Sequence, residues 1–377
     1  MRDLSEIRVD IDTIDQQILK LYEDRLKLAD EVAVYKIANH KNVYDKKREQ
    51  EKLDALASLA SDDFAKKGIQ ELFEQIMSGS RKKQYRMLAE QGLMGPINYT
   101  CVEEFDFKGK TVVYQGVRGA YSQAATLAYF GEDIENFPVE TWREAIEALR
   151  TGRADAAVLP IENSTAGSVY ENYDLLMEND VNIIGEQILT INHCLLSVPG
   201  SDISKIRKVY SHPQALMQCE DYLKKVHPEF DVISLKNTAM AAKKVCDEGD
   251  CEAAAIAGSI NAKLYGLHIL EENIQDRKDN ETRFIIVSGK KKYRKDAKKV
   301  SLCMELANEK GALYHALSHF IFNGINLSRI ESRPMKDRAW EYRFFIDLEG
   351  NLQEEDVLHA IRGLQEETNK LRILGNY

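Results

Sequence analysis

Arg25 stands at an apolar heptad position, and a charge there limits what the N-terminal part of this chain can become. From Leu4 to about Ile37 the sequence reads as one long helix. Leu4, Ile11, Ile18 and Val32 hold one set of seam positions, and Ile7, Ile14, Leu21, Leu28 and Tyr35 hold the other. Position 25 falls in the first set. A guanidinium directed at a helical core costs roughly several kcal/mol unless an anion meets it there. Lys36 lies about three turns on, sharing that face at a separation of roughly 16 Å, so two long side chains can close on a small anion. Arg8 shares the phase but lies roughly 25 Å from Arg25 along the axis. A second copy packed antiparallel would bring it within reach, so the pattern predicts a dimer with a shared anionic site. On pattern alone, a polar residue that sets coiled-coil register competes with this.

The chain has 377 residues, 44% hydrophobic and 30% charged, enough for two to four domains that each bury a core. A net charge of −10 without a strongly basic segment argues against nucleic acid as a main partner. No apolar run suits a bilayer, and the polar start MRDLSEIRVD does not read as a signal peptide, so no membrane partner and a cytoplasmic location are expected. The six cysteines, at positions 101, 194, 219, 246, 251 and 303, lack zinc-finger spacing. They are expected to be buried, reduced and structural. His315 and His319 stand four apart without the intervening glutamate of a zincin motif, so no metal is assigned to them.

Three helices are expected over residues 1–90: the first ends near Asn39, the second starts after Asp45, and the third covers Ala65 to about Leu88. Their core is thin for one chain, which again favours a dimeric bundle. Gln91-Gly92-Leu93-Met94-Gly95-Pro96 breaks the pattern and opens a linker over 91–108. Strands then alternate with helices over 109–289, as in an α/β domain. Expected there are strands at Thr111–Tyr114, Ala156–Leu159, Lys208–Tyr210 and Ala253–Ala257, and helices at Gln123–Phe130, Trp142–Arg150, Ala215–Val226 and Ala239–Asp247. The lysine-rich run within 290–298 reads as a solvated linker. Residues 299–377 read βαββαβ, the order of an α+β ferredoxin-like domain.

In open α/β sheets ligands sit beyond the carboxyl ends of strands. Three such ends lead into small, polar, hydroxyl-rich segments: Gln115 to Ser122, Pro160 to Gly167, and Ser211 to Ala215. Each is expected to approach a helix N-terminus, whose free N–H groups suit carboxylates. One such segment is a capped turn; three together imply a cleft for a small anion. Gly116 and Gly119 resemble part of a dinucleotide loop, but the third glycine is missing.

Taken together, the segments Gly119-Ala120-Tyr121-Ser122, Pro160-Ile161-Glu162-Asn163-Ser164, Ser211-His212-Pro213-Gln214-Ala215, Thr282-Arg283-Phe284, Gly311-Ala312-Leu313 and Glu331-Ser332-Arg333-Pro334 carry a family resemblance. The whole chain resembles the bifunctional P-proteins, chorismate mutase fused to prephenate dehydratase with a C-terminal ACT domain. That implies a multidomain fold: an all-α dimeric mutase bundle, a two-lobed α/β dehydratase domain and a ferredoxin-like regulatory module. It implies an enzyme of phenylalanine biosynthesis without cofactor or metal, acting on chorismate and prephenate and inhibited by L-phenylalanine. It also implies a homodimer or higher oligomer.

By the same resemblance, Arg8 would reach a partner's site, Arg25 and Arg48 would bind carboxylates, and Lys36 and Gln84 would hydrogen-bond the ether oxygen. Asp45, Glu49 and Ser80 would complete that lining, with Glu49 near the ring hydroxyl. In the dehydratase, Thr282 matches the family's essential threonine, with Arg283 and Phe284 beside it. Ser122, Glu162, Asn163, Ser164, Thr165, Ser211 and Gln214 would line its pocket. Gly311, Ala312, Leu313, Glu331, Ser332, Arg333 and Pro334 match the two phenylalanine-binding motifs. Two rivals remain at this level: a non-enzymatic amino-acid sensor, and a dehydratase whose helices serve only to dimerise.

Overall fold

The computed structural model describes residues 2–93, 97–335, 338 and 340–377; Met94, Gly95 and Pro96 of the expected linker lie outside the described residues. The chain divides into two compact units, Met1–Asn98 with Ala297–Ile373, and Tyr99–Asp296 with Leu374–Tyr377. The first unit opens with helices α1 (Leu4–Ala38), α2 (Lys46–Ala57) and α3 (Asp63–Glu90). Asp45 and Asp62 cap α2 and α3: their carboxylates accept the backbone N–H groups of Arg48 at 3.0 Å and Ala65 at 2.7 Å. Those bonds satisfy donors that a first helical turn leaves open. Of the 35 residues of α1 only Ala29 and Ala33 are buried. The heptad residues Leu4, Ile11, Ile14, Ile18, Leu21, Leu28 and Tyr35 are each at least 50% exposed. The apolar seam is therefore no part of this chain's own core.

The second unit contains two α/β lobes. The first is built from β1 (Thr100–Val102), β2 (Thr111–Gln115), α4 (Tyr121–Phe130), β3 (Glu135–Val139), α5 (Trp142–Arg150), β4 (Ala156–Asn163), β5 (Gly167–Ser168), α6 (Tyr170–Glu178) and β6 (Asn182–Thr190). The second lobe holds β7 (Cys194–Ser197), β8 (Lys208–Ser211), α7 (Pro213–Gln218), β9 (Asp231–Ser234), α8 (Thr238–Glu248), β10 (Ala253–Ala257), α9 (Ile260–Tyr265) and β11 (His268–Glu271). The chain then returns to the first lobe as β12 (Glu281–Ser288) and β13 (Lys292–Arg294).

In space the first lobe's sheet runs β6-β12-β4-β2-β3 and the second lobe's β11-β7-β10-β8-β9. All five residues of β10 are wholly buried, and its alanines admit Ala241, Ala242 and Val245 of α8 at close range. The lobes meet where the Gly116–Ala120 loop faces α9. There Asn261, wholly buried, donates through Nδ2 to the carbonyls of Gly119 and Gly258, each at 3.0 Å. Gly119 has φ +87°, and a Cβ on it would come within 2.0 Å of Asn261 Oδ1, so no other residue fits.

Several expectations are corrected here. The predicted helix Ala215–Val226 breaks after Gln218 and resumes as a π-turn at Tyr222–Val226. Asp276 causes the break, donating its N–H to the Gln218 carbonyl and accepting from the Asp221 N–H. Within the lysine-rich run, Lys292–Arg294 is a strand that pairs parallel with Thr100–Val102, itself inside the expected linker 91–108. The segment after Leu159 reaches its helix only by way of a hairpin: β4 continues to Asn163 and turns back through β5 before α6 starts at Tyr170. All six cysteines are free, yet only Cys194, Cys219 and Cys303 are buried; Cys251 is exposed in the turn before β10.

The first unit resumes with β14 (Lys299–Leu306), α10 (Ala312–Phe322), β15 (Leu327–Pro334), β16 (Tyr342–Glu349), α11 (Glu355–Glu367) and β17 (Lys370–Asn376), the βαββαβ order expected. The strands lie in the order β15-β16-β14-β17. Leu302, Ile346, Val357, Ala360, Ile361 and Leu364 are buried, so the sheet and α11 share one core. The outer face of α11 packs on α3. Among the described residues no helix is long and apolar enough to cross a membrane.

Candidate functional site

A cavity of about 360 Å³ lies among the three N-terminal helices. Arg25, Lys36, Asp45, Arg48, Glu49, Ser80 and Gln84 all line it, so seven of the eight residues predicted for this site converge. Arg8, exposed near the start of α1, does not line it. Lys52 and Arg81, which the sequence reading missed, do. The wall thus carries five cations against two carboxylates, an excess suited to a dianion. Arg25 donates to the Ser80 hydroxyl and, at 3.4 Å, to the Ile76 carbonyl. Among the described residues neither Arg25 nor Lys36 forms an ion pair; Lys36 donates only to the Val43 carbonyl. Desolvation pulls the pKa of both below its ordinary value, although Glu49 opposes it. A half-buried cation held by neutral acceptors is an anion receptor in waiting. Gln84, 5% exposed, donates to the Ser80 carbonyl at 3.2 Å and leaves its buried Oε1 without a partner.

The second site sits where β4 ends and β12 begins. Antiparallel pairing sets Thr282 opposite Asn163. A register shift between Arg283 and Phe284 bulges the ladder there, as bulges beside sites commonly do. Asn163 Oδ1 accepts from the backbone N–H groups of Thr165 at 3.0 Å and Ala166 at 2.8 Å, which fixes the amide's orientation. Its Nδ2 therefore faces Thr282 and donates to Oγ1 at 2.9 Å. With Oγ1 accepting, the Thr282 O–H remains free to point at a ligand.

A run of hydrogen bonds with one polarity leads to that hydroxyl. Tyr121 O–H meets His193 Nδ1 at 2.8 Å, and His193 Nε2 meets Gln218 Oε1 at 2.9 Å. Gln218 Nε2 reaches Thr165 Oγ1 at 3.4 Å, which donates to Asn163 Oδ1 at 2.7 Å. A neutral His193 ring, accepting at Nδ1 and donating at Nε2, completes this order when the Tyr121 proton turns to it and not to the Asn192 carbonyl, which is also at 2.8 Å. Burial holds the His193 pKa below the usual imidazole value, against the Gln218 hydrogen bond. The unfolded chain takes up this proton near about pH 6.5 while the folded ring resists it, so the contribution is whole above that pH and lost below it. Urea unfolding followed between about pH 7.5 and pH 5 should show stability falling on acidification, and His193→Gln should flatten that fall by up to one proton.

Ser164 also serves this corner, its Oγ donating to the Asp279 carbonyl at 2.9 Å and accepting the Glu281 N–H at 2.9 Å. Glu162 stands one residue before Asn163, opposite Arg283 in the ladder. Ser122 is buried in the first turn of α4 and Gln214 is exposed in α7. The Ser211 hydroxyl, wholly buried, donates to the Ile256 carbonyl at 2.6 Å and is committed to the fold. Phe284 packs with Val112, Val158 and Ile286 in the lobe's core rather than at the cleft. Arg283 donates to Glu186 at 2.7 Å and to the Tyr377 hydroxyl at 2.8 Å. His193, Gln218 and Asn280 went unnoticed in the sequence, where isolated residues after a strand carry no pattern.

In the C-terminal domain Gly311, with φ +79°, turns the chain from β14 into α10, and Ala312 and Leu313 start that helix. Glu331, Ser332, Arg333 and Pro334 end β15, which stands at the edge of this sheet.

The family model for prephenate dehydratase matches residues 112–292, and that for chorismate mutase type II matches residues 7–85. The chain is 34% identical to the bifunctional chorismate mutase/prephenate dehydratase of Aquifex aeolicus, over 100% of this chain and 98% of that one. It is 41% identical to arogenate dehydratase/prephenate dehydratase 2 of Arabidopsis thaliana, over 71% of this chain and 72% of that protein. Among solved structures, prephenate dehydratase from Arthrobacter aurescens in complex with L-Phe is 34% identical, with a TM-score of 0.64, and the match covers 71% of this chain and 89% of that one. With a mutase model on its helices, a dehydratase model on its two lobes and full-length likeness to proteins that join both, this chain belongs to the bifunctional chorismate mutase/prephenate dehydratase family.

Proposed function

We infer that this chain rearranges chorismate to prephenate in the helical cavity and converts prephenate to phenylpyruvate at the Asn163–Thr282 corner, under feedback inhibition by L-phenylalanine. The observation that carries the first step is the convergence of Arg25, Lys36, Arg48, Glu49, Ser80 and Gln84 on one cation-rich cavity. The rearrangement is intramolecular: one carbon–oxygen bond breaks as a carbon–carbon bond forms, with no nucleophile and no proton transfer. Catalysis then consists of holding the reactive conformer and stabilising charge that builds on the ether oxygen. Arg25 and Arg48 take the carboxylates. Lys36 and Gln84 serve the ether oxygen, and Glu49 accepts from the ring hydroxyl.

In the dehydratase step the ring carboxylate leaves as carbon dioxide. Its electron pair enters the ring, and the ring hydroxyl departs with a proton as water. Aromatisation drives this, so a well-aimed hydrogen bond from Thr282 to the leaving oxygen suffices. Thr165 and Ser164 shape the pocket beside it, while Ser122, Glu162 and Gln214 stand at its margin.

The domains assigned to these roles are residues 1–90 (mutase), 109–289 (dehydratase) and 299–377 (an ACT module), with the segments 91–108 and 290–298 between them carrying the paired strands β1 and β13. The assembly is a homodimer or larger oligomer. The exposed seam of α1 supports this, because a second copy would cover it and bring its Arg8 to the cavity. The edge position of β15 offers a second place for copies to pair, and the two motifs, one ending that strand and one starting α10, offer an L-phenylalanine site. The test feeds the purified chain chorismate and follows prephenate and phenylpyruvate together, with and without L-phenylalanine. Phenylpyruvate formation suppressed by the amino acid is expected; prephenate accumulating alone would reduce the two lobes to a binding module.

A further inference from the structure

A second cavity, of about 330 Å³, adjoins the mutase cavity within the first unit; its far wall comes from the C-terminal domain, including Ala312, His315 and Glu367. Glu49 and Arg81 line both cavities and so form the partition between them. The Arg81 side chain is only 7% exposed, and its guanidinium lies 4.8 Å from the Tyr44 ring centre. It donates to Glu49 Oε2 and, through Nε at 2.7 Å, to Oε1 of Glu367, the last residue of α11. Glu367 is equally buried, with His319 Nε2 of α10 3.1 Å from its other oxygen. Burial alone would raise the Glu367 carboxyl; the His319 ring and the Arg81 charge outweigh it and hold it at about 2.

One guanidinium thus spans two carboxylates, one in the mutase cavity and one in the C-terminal domain. Glu49 spends one oxygen on Arg81, which fixes the direction in which the other is presented. Arg81 itself cannot shift towards the cavity without breaking a buried pair to Glu367, and buried charges tolerate that poorly. We propose that Arg81 is a positioning residue for the mutase reaction, aiming Glu49 at its ligand and anchored by Glu367 of the C-terminal domain. This rests on the helical cavity being the mutase site.

The test uses the full chain, measuring rearrangement of chorismate and dehydration of prephenate in the same preparations. Arg81→Met should lower mutase kcat/KM about 10–100-fold, as expected when a binding group is misplaced by about an ångström. Glu367→Gln, isosteric and outside the mutase cavity, should lower it about 3–10-fold, and neither should move the dehydratase rate by more than about twofold. In a Glu49→Gln background both substitutions should add less than about twofold, because they act through Glu49; a merely structural role would multiply instead. If Arg81→Met misfolds, Arg81→Lys and Glu367→Gln carry the same cycle. Multiplying effects, or a mutase rate unmoved by Glu367→Gln, would overturn the proposal while Arg25→Met still lowers rearrangement by about 10²–10³-fold. Rearrangement that survives both Arg25→Met and Glu49→Gln would instead overturn the site on which it rests.

Discussion

Thr282→Val should lower the dehydratase kcat by about 10²–10³-fold, the usual cost of losing one hydrogen-bond donor aimed at developing charge, while leaving the mutase rate unchanged. Valine keeps the shape of threonine, so packing at the start of β12 survives. At most one shared hydrogen bond from Asn163 Nδ2 is lost, because its two N–H groups still have the Asn280 Oδ1 at 2.8 Å and the Glu281 carbonyl at 3.1 Å as acceptors. No buried donor is stranded, so stability should fall by no more than about 1 kcal/mol. Thr282→Ser retains the hydroxyl and should keep most of the rate. Measuring both reactions on each variant separates chemistry from folding, because the mutase reports on the intact chain. A valine variant within about threefold of the parent would mean that Thr282 only closes the β4–β12 corner and that the proton for the departing water comes from elsewhere.

How far the sequence reached follows from the kind of signal each residue leaves. Arg25 was legible because it violates a period: nine neighbours at the same phases are apolar, and a charge among them demands a partner. The bounds of α5 were legible because apolar spacing and terminal residues agreed. The strand β6 was not, because Asn182–Gly185 is buried on both faces and shows no alternation, although it pairs along the whole of β12. Arg81 and Glu367 leave no local trace at all. On helix surfaces they read as solvated charges, and only the packing of α11 on α3 turns them into a buried pair 286 positions apart. The run from Tyr121 through His193 to Asn163 is similar: its members come from both lobes, and their hydrogen bonds exist only after the chain has crossed from the first lobe into the second.

Arg25→Met should lower mutase kcat/KM by about 10²–10³-fold, roughly 3–4 kcal/mol, within the range for truncating one partner of a desolvated charge pair. The folded protein should not suffer for it. Arg25 is half-buried, its pKa is lowered by desolvation, and its acceptors are neutral, so without ligand the guanidinium is a cost to the fold. Methionine replaces the stem and removes that cost, and its melting temperature should equal or exceed the parent's, as expected where function is held at the expense of stability. Arg25→Lys keeps the charge but loses the two-pronged geometry, so it should recover only part of the rate. The competing role, a polar residue that sets the register of paired α1 helices, gives the opposite signature: Arg25→Met would change the oligomeric state in sedimentation and leave the rearrangement rate near the parent's. A slow enzyme of unchanged mass and undiminished melting temperature identifies Arg25 as an anion receptor, and the opposite pair of results identifies a register residue.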